Sequence, residues 1–259
     1  MTDSLVSARR GAVLTLTLNR PDKLNAIDVT LLDALTDALE GAARNPEVRA
    51  VVLAGAGRSF CAGADIGQMI DRTPDDWERT VDRYLDPIRA ISRIGKPVIA
   101  RLHGDVFGGG LGLALACDFR VAAETARFCA PFVKLALAGC DMSAGYFLPR
   151  LVGLGRATDM MMTARVVEAP EALAIGLVSQ LAPEDALAAA AEALADTLAG
   201  FAPRTTAFTK AAIRRSLDRD MEAEFDYEIF AQVQCLQSAD HREGVAAFRE
   251  RRPPVFRGA

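Results

Sequence analysis

Histidine is scarce in this chain of 259 residues: His103 and His241 are the only two. Neither sits beside cysteines at metal-ligand spacing, so no metal site is expected. Cysteine is also sparse and odd in number, at Cys61, Cys117, Cys129, Cys140 and Cys235. That pattern predicts reduced thiols and a cytoplasmic setting rather than a disulfide framework. Long apolar runs are missing, and the opening MTDSLVSARRG has no apolar centre of the kind a secretion signal carries, so no membrane partner is expected. Charge of one sign is missing too. The net charge of −4 gives no reason to expect nucleic acid or an anionic surface. One local thickening of charge, at Arg249, Arg251, Arg252 and Arg257, reads equally well as a phosphate contact or a solvated tail. No repeat or low-complexity stretch stands out.

What is present is a globular composition, 51% hydrophobic and 25% charged, in a chain long enough for one large domain with a helical appendage. Ala12–Leu18 alternates like a strand, Asn19–Ile27 is a turn-rich connector, and Asp28 is placed to cap a helix running to Ala43. Leu31, Leu32, Leu35 and Leu39 would share that helix's buried face. Ala50–Gly55 reads as a buried strand, Gly57–Ile66 as a glycine-containing entry to a helix, and Asp71–Trp77 as a mobile polar segment. One helix over Glu78–Ile94 leads to the strand Pro97–Leu102. After the strand-like FRVAAE comes a long connector, and from Arg156 only helices are expected. The order implies an α/β core, residues 1–200, followed by a C-terminal helical region, 201–259, to which the resemblance described below assigns oligomerisation or a lid.

The most informative stretch is His103–Asp118, HGDVFGGGLGLALACD. Gly108, Gly109 and Gly110 stand at a strand-to-helix junction, where a bare backbone can approach a ligand and present unpaired N–H groups at the positive end of a helix. Upstream, CAGADI (Cys61–Ile66) is a second loop of the same kind. The two loops, with LNRPDKLNAI, LPRLVG, EALAIGLVSQL and the closing REGVAAFRERRPPVFRG, resemble the crotonase superfamily, also called the enoyl-CoA hydratase/isomerase family, over nearly the whole chain.

The resemblance implies a spiral of ββα turns, an acyl-CoA thioester as substrate, and a homotrimer or dimer of trimers. It implies no resident cofactor, because CoA arrives as part of the substrate. The thioester oxygen would be gripped by the backbone amides of Ala64 and Gly109. CoA contacts would fall at Lys23, Leu24, Ala26, Ala62, Asp65 and Ile66, with Gly108 and Phe132 beside the acyl group. Phe256 and Arg257 match a tail that reaches the nucleotide end from a neighbouring subunit.

A hydratase of this family uses two glutamates. The positions that match them here are Gly112 and Phe132 (or Val133 with a one-residue slip), none of them acidic. A positioned acid or base contributes about 10²–10⁴-fold, so ordinary hydration should be crippled. Asp141, in GCDMSAGYFLPR, is the remaining candidate acid/base or nucleophile; the alternative is a cap for the helix that follows. A hydratase with relocated acids and a non-catalytic acyl-CoA binder stay open as alternatives. Asp105 could face the pocket or the surface. Asp82, Asp86 and Tyr84 fall on a helix that roofs the acyl pocket, with Trp77 in the segment before it. Asp118 and His103 read as structural, His241 as part of a helix start, and Cys140 as a buried inert thiol.

Overall fold

The computed structural model describes residues 3–69 and 72–259. Strands β1 (Leu5–Arg10) and β2 (Val13–Leu18) form a hairpin, followed by helix α1 (Val29–Arg44) and strand β3 (Ala50–Gly55). Helices α2 (Pro74–Tyr84) and α3 (Asp86–Arg93) lead to β4 (Val98–Leu102), β5 (Asp105–Phe107) and α4 (Gly109–Ala116). Then come β6 (Phe119–Ala123), β7 (Arg127–Cys129), α5 (Ala144–Val152), α6 (Leu154–Thr163), β8 (Val167–Glu168), α7 (Ala169–Ala174) and β9 (Gln180–Ala182). Four helices close the chain: α8 (Leu187–Ala199), α9 (Pro203–Arg215), α10 (Met221–Leu236) and α11 (Ala239–Glu250).

Two sheets carry the fold. The larger runs β1-β2-β3-β4-β6-β9, parallel except for the opening hairpin; the smaller runs β5-β7-β8. Chain order explains the architecture. From β4 in the large sheet the backbone turns into β5 of the small sheet and then into α4, one complete ββα turn. The path is repeated before and after it: β3 leads to Cys61, which bridges Val106 of β5, and β6 leads to β7, which pairs with β5. Because each turn advances by one strand spacing, the loops leaving successive turns stack on one side. The loops that carry Ala64 and Gly109 therefore become neighbours.

The core follows from periodicity. β3 is buried at every residue, as a central parallel strand covered on both faces must be. Helix α1 places Leu31, Leu32, Leu35 and Leu39 at 1% exposure or less, each contributing about 1.5–3 kcal/mol as an upper estimate. Asp28 caps it as expected, accepting from the Leu31 N–H at 2.8 Å.

Several expectations are corrected. The chain after Arg156 is not helical throughout: β8 and β9 return to the two sheets, and β9 pairs with β6. The expected helix over Glu78–Ile94 breaks at Leu85, because Pro87 has no N–H to offer the carbonyl of Arg83. The loop after Cys61 enters only a three-residue 3₁₀ turn, Ile66–Gln68. Of the segment read as mobile, Asp71 lies outside the described residues. The rest is helix from Pro74, with the Thr73 side chain accepting from Asp76 N. Cys140 is exposed rather than buried, at the end of a surface turn. Among the described residues, no helix is long and apolar enough to cross a membrane.

Candidate active site

Ala64 and Gly109 face each other across two loops. A side-chain carbon built on Gly109 would lie 3.7 Å from Ala64 N, and one built on Gly63 would lie 3.4 Å from Gly109 N. Gly63 has φ +111° and meets the Phe107 carbonyl at 3.3 Å by the same construction, so only glycine lets the loops close to this spacing. Among the described residues neither the Ala64 nor the Gly109 amide donates to an acceptor. Gly109 is the first residue of α4, where an N–H has no intrahelical partner and the helix end is partially positive. Two free donors aimed at one small space can hold one oxygen that carries negative charge.

The Ala64 loop is held rigidly. Ile27 brackets it, donating to Gly63 O at 2.7 Å and accepting from Asp65 N at 2.9 Å. Arg20 reaches Asp65 at 2.9 Å and Asp28 at 3.1 Å and also donates to the Ala26 carbonyl. Hydrogen bonding to Arg20 is the main cause holding the Asp65 carboxyl below its ordinary range. Asn25, fully buried, donates to the carbonyls of Ala56 and Ser59 at 2.8 Å and accepts from Arg20 N. Arg20 and Asn25 were not read as site residues. Their stretch looks like an ordinary polar turn, and the only available signal was two polar side chains flanking a Pro-Asp step.

Leu24, Ala26, Ala62 and Asp65 lie together beside Ala64; Ala62 N donates to Leu24 O at 3.0 Å. Lys23 and Ile66 lie on the same loops and are exposed. Gly108 sits beside Phe132, whose ring would be 3.8 Å from a carbon built there. Phe256 and Arg257 are not brought to this place within the chain. Arg49 donates to Phe256 O at 2.8 Å, and Asp240 accepts from Arg257 N at 2.7 Å, near the start of β3 rather than its end. Of the arginines in the charged cluster, Arg252 is engaged by Glu243 and Glu250.

Asp141 opens a short 3₁₀ turn, Asp141–Ser143, packed on α4. It is not the cap of α5; Ser143 holds that position, with no side-chain cap bond. One Asp141 oxygen accepts from Met142 N at 2.8 Å. Burial pushes its carboxyl above the ordinary range, and the Met142 bond offsets this only in part. No cation enters that balance. A half-buried carboxyl raised by burial suits proton transfer.

Met142 explains Gly112. The residue has φ +49° and is 2% exposed. A side-chain carbon on Gly112 would land 2.5 Å from Met142 Cβ and closer still to the Met142 carbonyl oxygen. The same methionine approaches Gly109, its Cγ 3.5 Å from a carbon built there, so the Asp141 turn lies against the residue that offers the second free amide. Position 112 is filled by backbone, and a glutamate there has nowhere to go. Gly112→Ala is accordingly expected to cost about 3 kcal/mol as an overpacking change. In thermal unfolding that is a midpoint lower by about 6–12 °C. An unchanged midpoint would contradict the packing.

The other acids are accounted for. Asp105 pairs with Arg127 at 2.5 Å, Asp82 and Asp86 with Arg89, and Asp118 with Lys210 and Arg214 at 2.7 Å each. His103 Nε2 lies 2.8 Å from Gly57 O, and His241 N donates to the capping Ser238. Trp77 is stacked under Arg72. Burial raises the Cys61 and Cys117 thiols to about 12, so neither is a nucleophile. A groove of about 1120 Å³ lies elsewhere, between the core and α9–α11, lined by Leu115, Phe147, Lys210 and Phe256. Two of its cations, Lys210 and Arg214, share Asp118 as their partner, and it holds neither free amide.

Comparison with known proteins gives one answer. The model of the enoyl-CoA hydratase/isomerase family matches residues 8–259. The (E)-benzylidenesuccinyl-CoA hydratase of Thauera aromatica is 37% identical over 95% of this chain and 96% of its own. The 1,2-epoxyphenylacetyl-CoA isomerase of Escherichia coli (strain K12) is 35% identical over the full length of both. The crystal structure of an enoyl-CoA hydratase from Bacillus anthracis superposes with TM-score 0.95 at 31% identity, covering 99% of this chain and 100% of that one.

Proposed function

The chain belongs to the enoyl-CoA hydratase/isomerase family, the crotonase superfamily, and from that premise we propose an acyl-CoA enzyme that works by proton transfer rather than by adding water. The Ala64 and Gly109 amides form its oxyanion hole. Asp141 takes a proton from carbon next to the thioester, or one double bond further along. The electron pair moves onto the thioester oxygen, where the two N–H groups hold the enolate. The proton returns at another carbon, so the net reaction is an isomerisation and Asp141 ends as it began.

One observation carries this reading. The place of a first hydratase glutamate is closed by the Met142 backbone over Gly112, while the unpaired Asp141 carboxyl next to it is raised by burial. Each backbone donor contributes about 2.7–4 kcal/mol when charge develops on the oxygen. CoA would lie along Lys23, Leu24, Ala26, Ala62, Asp65 and Ile66. It enters with the substrate, and the reading calls for no resident cofactor.

A homotrimer or dimer of trimers fits the C-terminal region. Helix α10 buries none of its residues and leaves Phe225, Ile229, Phe230 and Val233 exposed. A neighbour seated there could bring its own Phe256 and Arg257 toward the CoA. The odd number and unpaired spacing of the five cysteines in the sequence support a cytoplasmic setting.

The test is deuterium entry. Vinylacetyl-CoA incubated with the protein in D₂O is expected to move its double bond and take up deuterium, as followed by NMR. Binding without exchange or migration would favour the non-catalytic acyl-CoA binder; hydration in its place would favour relocated acids.

A further inference from the structure

Helix α2 buries no residue along its length, yet its last side chain, Tyr84, turns inward, half-buried against the hydrophobic core. The hydroxyl donates to the Ile27 carbonyl at 3.3 Å. That carbonyl also accepts from Asp65 N, and Ile27 N donates to Gly63 O, so the two partners of Ile27 flank Ala64. Tyr84 is therefore the one residue of the roof helix bonded to the peptide that fixes a free amide. Its other surroundings are charged: Arg72 from the segment before α2, Asp28 and Asp65 from the amide-bearing loops, and Asp141 from across the site. Burial and the three carboxylates outweigh Arg72, so the phenol keeps its proton and remains a donor.

We propose that Tyr84 is a positioning residue for the oxyanion hole: its hydroxyl, delivered by the roof helix, pins the Ile27 peptide and thereby sets where the Ala64 N–H points. The proposal deepens the proton-transfer reading and rests on its placement of the thioester oxygen. A donor misplaced by a fraction of an ångström stabilises the enolate less, while CoA contacts made elsewhere on the loops are unaffected. The bond to Ile27 is long, and a phenylalanine keeps the ring packed. The role is thus separable from folding.

The experiment compares wild type with Tyr84→Phe using cinnamoyl-CoA, a conjugated thioester whose absorption moves to longer wavelength when its carbonyl is polarised. At saturation, wild type is expected to red-shift the bound probe and the variant to shift it less. With vinylacetyl-CoA, kcat should fall about ten- to hundredfold with KM within about twofold, and the thermal midpoint should hold. Equal red shifts together with an unchanged kcat would reduce Tyr84 to a packing residue and overturn the proposal. Absence of any red shift in wild type would instead overturn the placement of the thioester oxygen, and the proposal with it.

Discussion

Asp141→Asn lowers the rate of deuterium exchange and double-bond migration by about 10²–10⁴-fold, the usual contribution of a positioned acid–base group. Affinity for the acyl-CoA is retained, because the carboxyl makes no bond that asparagine cannot imitate: its one partner is the Met142 N–H, which an amide oxygen also accepts. The same substitution has a second signature, in stability. Burial raises the Asp141 carboxyl in the folded protein above its ordinary value of 3.8, and no cation compensates. A raised carboxyl contributes stability that is fully present below the unfolded pKa and is lost as pH rises through the folded pKa. Above that range the half-buried group, once ionised, is therefore a net cost that asparagine removes. Thermal melts of the variant should lie above wild type at neutral pH and converge with it as pH falls toward the ordinary carboxylate range. A variant that keeps its turnover, or that melts lower at pH 7, would leave Asp141 as a structural turn residue.

Ala64→Pro is the companion change, aimed at the hole rather than at the base. Proline deletes the N–H, which among the described residues has no acceptor, and sets its ring carbon where that N–H pointed, so the hole loses the donor and part of its space. Ala64 is bridged to Ile27 in parallel fashion, an extended setting. Loss of one preorganised oxyanion donor is expected to lower kcat by about 10²–10³-fold. CoA affinity, measured by titration, should change little, because the CoA contacts proposed above fall on neighbouring positions rather than on the Ala64 N–H. A variant with full kcat would remove Ala64 from the hole. A variant that no longer binds CoA would make the loop a binding element rather than a catalytic one.

How much of this was legible in the sequence differs by element for physical reasons. β3 and β4 were readable because buried parallel strands are continuous apolar runs. Helix α1 was readable from its cap and its leucine spacing. The strands of two or three residues were not, because nothing local defines them: β9 is a strand only because Val121–Ala123, far back in the chain, supplies its partners. The glycine-rich junction at Gly108–Gly110 is a local signal, but naming Ala64 and Gly109 as a pair depends on the resemblance to the family, since the loop of Ala64 enters no helix longer than the 3₁₀ turn Ile66–Gln68. The environment of Asp141 has no local signal. Its raised carboxyl depends on the absence of a cation, and Gly112 is explained by a contact with Met142 that only the tertiary fold creates. Arg20 and Asn25 were missed as site residues, and Tyr84, placed on the roof helix, was given no role of its own, for a similar reason. They act by hydrogen-bonding backbone carbonyls of other loops, which no residue pattern announces.

The most direct test of the central claim is crotonyl-CoA hydration, followed as loss of the enoyl-thioester absorbance, with acyl-CoA binding measured on the same preparation. On the proposed reading Met142 closes over Gly112 and Phe132 takes the second acid's place, so hydration should run at least about 10²-fold below the level of a working hydratase while the thioester still binds. Turnover at an ordinary enzymatic rate, about 10 s⁻¹ or more, would contradict the claim and require acids other than Asp141 to hold and activate a water.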